Sequence, residues 1–196
     1  MIHQFFGVLL SSPVFFGMFE VIALAPGQAL ESPAPKPVAC VRSIPEPIVK
    51  KNVFPNTHFA LKDIDYVGVV VPLGLETMQL SNGDKVIITN SGCENFTLSF
   101  QFETSRFTGK VQDTKYWLAR SVELMKLIEP GLKTSLNLKQ GINMLEQYTK
   151  TVANPMIGQE IDYGDQEIRS VVQLADVKQL GNQNFTMKVI FSTGPL

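Results

Sequence analysis

From Leu61 to Glu103 hydrophobic and polar residues alternate, and a period of two marks strands that bury one face. Val67 to Val71 is an apolar run ended by Pro72, and Glu76 to Leu80 leads through Ser81-Asn82-Gly83-Asp84 into Lys85 to Asn90. Asn-Gly between alternating segments is the strongest short hairpin signal, since it supplies the positive φ that tight turns need. The clearest strand follows. Phe96, Leu98, Phe100 and Phe102 share one face, and Thr97, Ser99, Gln101 and Glu103 the other, which predicts the spine of a sheet.

At Asp113 the period changes to that of a helix. Asp113 is placed to cap it, Trp117, Leu118, Val122, Leu124, Met125 and Ile128 form a broad apolar stripe, and Pro130-Gly131 stops it. A second helix is expected from Leu138 to Val152, burying Leu138, Ile142, Leu145 and Tyr148, with Gly141 weakening its first turn. Two more strands follow, Glu167 to Val177 and Asn184 to Ser192, the latter with Phe185, Met187, Val189 and Phe191 on one face. The order β-β-β-β-α-α-β-β predicts an α+β fold: a mostly antiparallel sheet with a two-helix layer packed on one face.

The N-terminal third reads differently. Phe5 to Ala25 is an apolar stretch whose first part, Phe5 to Met18, has the length of a signal-peptide core, and Ala23-Leu24-Ala25 and Gly27-Gln28-Ala29 offer small-residue cleavage sites. No Lys or Arg precedes the stretch and Glu20 lies inside it, so a retained membrane anchor is the alternative. A lipid-attachment site at Cys40 is a third option, weakened by Pro37 and the long gap after the apolar core. From Pro26 to Pro55 there are seven prolines, and Pro33-Ala34-Pro35-Lys36-Pro37 reads as extended tether. The expected organisation is a signal peptide over residues 1–29, a Pro-rich linker over 30–52 and one α+β domain over 53–196.

Charge is balanced, with a net charge of −1 over 196 residues and no charged block longer than Lys50-Lys51, so nothing points to nucleic acid or to an anionic membrane. The only cysteines, Cys40 and Cys93, fit an exported protein as one disulfide. A reactive Cys93 thiol with His58 as base is the alternative.

No phosphate-cradling glycine loop, nucleophile elbow or metal-spaced His/Cys cluster is present. Three weaker constellations remain. Around the strand-to-helix junction, Arg106 supplies a planar donor fork, Asp113 a carboxylate, and Tyr116 and Trp117 ring faces, a set able to hold a carboxylate or sugar. The competing reading is a salt-bridged rim over a core tryptophan. Glu160, Asp162, Asp165 and Glu167 flank Gly164 in an acidic loop of hard oxygen ligands, without the EF-hand spacing. Asp63 and Asp65 near His58 form a possible acid/base group. Asn95-Phe96-Thr97 and Asn184-Phe185-Thr186 match the glycosylation pattern, but each Phe belongs to a strand face, and both matches are read as chance.

The resulting expectation is a secreted or periplasmic domain that works by binding a protein or small ligand of the envelope or extracellular space. It carries no cofactor and, once the leader is removed, no membrane attachment. A hydrolase using dispersed carboxylates such as Glu103 and Asp113, or a membrane-anchored structural component, are the alternatives.

Overall fold

The computed structural model describes residues 44–66, 69–92, 95–165, 168–181 and 183–194; Cys40 and Cys93 lie outside them. Seven strands form one sheet: β1 (Thr57–Tyr66), β2 (Val69–Gln79), β3 (Lys85–Ser91), β4 (Phe96–Thr104), β5 (Ile161–Asp162), β6 (Ser170–Gln179) and β7 (Phe185–Thr193). Two helices, α1 (Thr114–Ile128) and α2 (Leu138–Thr151), stand between β4 and β5, joined through a short 3-10 turn at Glu129–Gly131. The spatial order is β1-β2-β3-β4-β7-β6-β5, and every neighbouring pair is antiparallel.

The alternation on β4 and β7 works as expected. Phe96, Leu98, Phe100 and Phe102 are buried, as are Phe185, Met187, Val189 and Phe191 beside them. These residues form one core with Trp117, Leu124 and Ile128 of α1, and with Ile142 and Leu145 of α2, so the helices cover a single face. Asp113 caps α1, its carboxylate accepting from the Tyr116 backbone N–H at 3.0 Å, and Asn137 caps α2 in the same way through Gln140 at 3.1 Å. Asn82-Gly83 makes the expected turn, with Gly83 at φ +91° and Asn82 Oδ1 accepting from Asp84 N.

Two expectations are corrected. The two expected strands ending at Val71 and starting at Glu76 are one strand, β2 (Val69–Gln79), which runs straight through Pro72; Val67 lies outside the described residues. Proline is tolerated because Pro72 stands opposite Asp63 of β1, whereas β3 reaches β2 only from Gly74 to Gln79, so no ladder partner needs the missing N–H on that side. The partner of β2 is an additional strand, β1, whose mixed sequence THFALKDIDY carries no strong apolar face of its own.

Packing also begins upstream of Val53. Ile48 and Val49 are buried core residues, and the segment carrying them lies over the β2–β3 part of the inner face as a strap. Val49 bridges to Leu132, Lys50 N donates to Gly131 O at 2.8 Å, and Lys133 N donates to Ile48 O at 2.7 Å.

Gly141 has a packing role that helix propensity does not reveal. A Cβ there would stand 2.6 Å from the Phe191 ring and 3.0 Å from the Tyr163 ring, so glycine lets α2 lie against β7. Gly141→Ala would gain about 1 kcal/mol of propensity in a free helix. In this protein overpacking at about 1–3 kcal/mol is expected to prevail, and a lowered midpoint in chemical denaturation checks it.

Candidate functional site

The junction of β4 with α1 is built around a buried carboxylate that comes from the other side of a hairpin. Asp84 follows the Asn82-Gly83 turn, and its side chain is 1 % exposed. A lone carboxylate at that depth would be prohibitive. Arg106 answers it: Nε lies 2.8 Å and Nη2 2.6 Å from Asp84 Oδ2, and Asp84 in return pushes the guanidinium pKa up. Arg106 also stands 3.8 Å from Glu123 and stacks 4.9 Å from the Phe107 ring centre. Arg120 extends the layer over Phe107 and Tyr116, at 5.6 and 5.4 Å.

Trp117, expected as either a stacking face or core, is fully buried. Its Nε1–H donates to Lys110 O at 2.8 Å, and its ring packs 4.6 Å from Phe185, 5.1 Å from Tyr116 and 6.5 Å from Phe107. An indole with no solvent-facing surface cannot receive a sugar, so its surroundings are those of the core alternative. Tyr116 is partly buried and its hydroxyl accepts from Thr108 N, while Asp113 is committed to the helix cap. Thus Arg106, Asp113, Tyr116 and Trp117 do converge, as a structural corner. Beside them a cleft of about 270 Å³ opens between Lys85, Glu103, Thr104, Ser105 and Asn184, spanned by the Lys85–Glu103 ion pair at 3.3 Å.

The other two constellations are not assembled. His58 faces away from Asp63, and five residues of extended chain put their Cα atoms about 17 Å apart. In the acidic loop, Glu160 and Asp162 pair with Arg169, Asp162 Oδ1 accepts from Gly164 N, and Asp165 Oδ1 accepts from Ile168 N. These carboxylates shape turns; Glu167 lies outside the described residues, and among those described no group of three metal-ligating side chains gathers.

Sequence reasoning missed Glu76. Its neighbours Gly74 and Met78 share the inner face, and opposite it stand Ile88 and Phe59. There the carboxylate accepts from two consecutive backbone N–H groups of the strap, Ile48 at 3.0 Å and Val49 at 3.3 Å. Burial pushes this carboxyl above its ordinary 4.5, against the pull of those amides and of Lys51. The available signal was a carboxylate at the parity of Gly74 and Met78 rather than of Leu75 and Thr77.

Glu76 and Glu146 titrate with opposite consequences. For Glu76 the folded state holds the proton more tightly than the unfolded chain, so its contribution to stability falls as pH rises from 4.5 through the raised value. Glu146, between Lys126 and Lys150, is drawn down to about 2, and its contribution is present above 4.5 and lost as pH falls toward 2. Glu76→Gln keeps one acceptor and leaves one buried N–H facing an amide, an expected cost of about 1–3 kcal/mol. The stability advantage of wild type over this variant, followed by denaturation across pH 4 to 7, is expected to shrink as pH rises; an advantage that grows with pH contradicts the assignment.

The most exposed apolar side chains of the sheet lie elsewhere. Because β2 leaves β3 at Gly74 but stays paired with β1 as far as Val69, the β1–β2 hairpin projects beyond β3 as a two-stranded arm. Ile64 and Val70 on it are 38 and 64 % exposed, on opposite faces of the ribbon, and Leu61 at its base, opposite Gly74, is 51 % exposed. The chain matches no protein-family model, no curated protein and no solved structure.

Proposed function

We propose that this protein is an exported binding domain that engages another protein through the β1–β2 arm. One observation carries the reading: the exposed apolar side chains of the sheet, Ile64 and Val70 on the projecting ribbon and Leu61 at its base, stand at one end of the sheet, where they gain nothing unless a partner covers them. The carboxylates of the hydrolase alternative support it from the other side. Glu103 is held by Lys85 and Asp113 by the helix cap.

Export rests on the Phe5–Ala25 stretch and its cleavage sites, and among the described residues no helix is long and apolar enough to cross a membrane. A disulfide between Cys40 and Cys93 belongs to the same proposal. Pro45 packs against Gly74, whose ladder partner is Asn90, and Asn90 is three residues from Cys93 as Pro45 is five from Cys40. Such a bond would fasten the upstream end of the strap to the far end of β3. Intact mass and non-reducing peptide mapping of protein from its host test both, with a start near Pro26 or Leu30 and a linked pair expected.

For the arm itself, a photo-crosslinking residue at Val70 in the native host is expected to give a protein adduct, and the same residue at Lys178 of β6 is not. No adduct at Val70, or equal adducts at both, would overturn the assignment.

A further inference from the structure

We propose that the partner covering β1 is a second copy of this chain, the two β1 strands pairing antiparallel across a two-fold axis at Leu61. This inference rests on the arm being an interaction surface, and it names the occupant. Among the described residues β1 pairs with β2 alone, which leaves one side of a ten-residue strand facing outward. The opposite margin of the sheet does not offer the same template. β5 has two residues, β6 has a register shift between Leu174 and Asp176, and Arg169 ties down Glu160 and Asp162. Short strands, irregular register and charge are how sheet edges avoid pairing. With one edge offering this template among the described residues, the pairing closes into a dimer rather than extending into a fibre.

The sequence of β1 selects the register. In an antiparallel ladder hydrogen-bonded and non-bonded sites alternate, so a two-fold axis must place some residue opposite its own copy. An axis at Lys62 or Asp63 opposes like charges, and an axis at Ile64 sets Asp63 against the partner's Asp65. With the axis at Leu61 no like charges face each other over Thr57 to Asp65: Ala60 meets the partner's Lys62, Phe59 the partner's Asp63, and His58 the partner's Ile64. An axis at Ala60 gives a shorter overlap and sets His58 against the partner's Lys62. The Leu61 register also covers the half-exposed Leu61 side chain with its own copy, flanked on that face by both Phe59 rings.

Sedimentation of the purified chain over a range of concentrations tests this. Wild type is expected to pass from monomer to dimer mass. Leu61→Lys, which puts two ammonium groups face to face on the axis, is expected to weaken dimerisation at least roughly tenfold with little change in the melting of the monomer. Leu61→Cys under mild oxidation should give a dimer whose peptide map joins the two introduced thiols to each other, whereas Ile64→Cys should not self-link. A monomer at every concentration, or a dimer indifferent to Leu61→Lys, overturns the proposal. A monomer that still forms the Val70 adduct with a different chain removes the second copy while leaving the arm as the interaction surface.

Discussion

Replacing Trp117 with alanine is expected to destabilise the fold by about 3–5 kcal/mol, the range for truncating a large aromatic in a packed core. The indole fills the space between α1, Phe107 and Phe185 with no exposed surface, and its loss also leaves Lys110 O without the 2.8 Å donor. A domain of this size loses about 2–4 °C of melting temperature per kcal/mol, so thermal unfolding reads the effect directly. Blue-shifted tryptophan emission in the native protein is the companion result, and Trp117 is the one tryptophan in the chain. Emission typical of water, with stability untouched by the substitution, would return the ring to the surface.

Arg106→Ala is expected to cost about 3 kcal/mol, although an arginine at a strand end looks like a rim residue. The cost lies in what is left behind, since Asp84 stays 1 % exposed with no counter-charge. The asymmetry is testable. Removing both groups, Arg106→Ala with Asp84→Ala, is expected to be less harmful than Arg106→Ala alone, giving a coupling of more than about 1 kcal/mol in a double-mutant cycle. Additive effects, or an Arg106→Ala variant as stable as wild type, would mean that the pair is solvated and that Arg106 is available to a ligand.

Both results depend on contacts between residues far apart in sequence, which explains what the sequence could and could not disclose. The strands with pure alternation, Phe96 to Phe102 and Phe185 to Phe191, were legible because each buries a single face against helices whose stripes and caps are equally plain. β1 was not, because a strand at the margin buries little and its pattern has no burial to record. The strap was hidden by its prolines, which spell tether, although Ile48-Val49 is the only apolar pair between Pro45 and Phe54. At the junction, Arg106, Asp113, Tyr116 and Trp117 were found as neighbours in sequence, but the residue that decides their chemistry is Asp84, twenty-two positions away and read only as part of a turn. A long-range charge pair leaves no local period. The Asn82-Gly83 turn announced that β2 adjoins β3, but the place of β7 was invisible, since it could have followed β6 outward to the edge instead of turning back between it and β4.

That last placement governs how the protein is made. β7 is the final strand in chain order, yet it is inserted between β4 and β6, pairing with nine residues of one and nine of the other. Until Phe185 to Thr193 is available, β1 to β4 and β5 to β6 are two separate pieces whose exposed margins have no partner, and the helices have half a sheet to rest on. Folding therefore closes late and through contacts of long sequence separation, which makes it slow. The domain remains threadable until β7 has been synthesised, as the proposed export through a membrane would require.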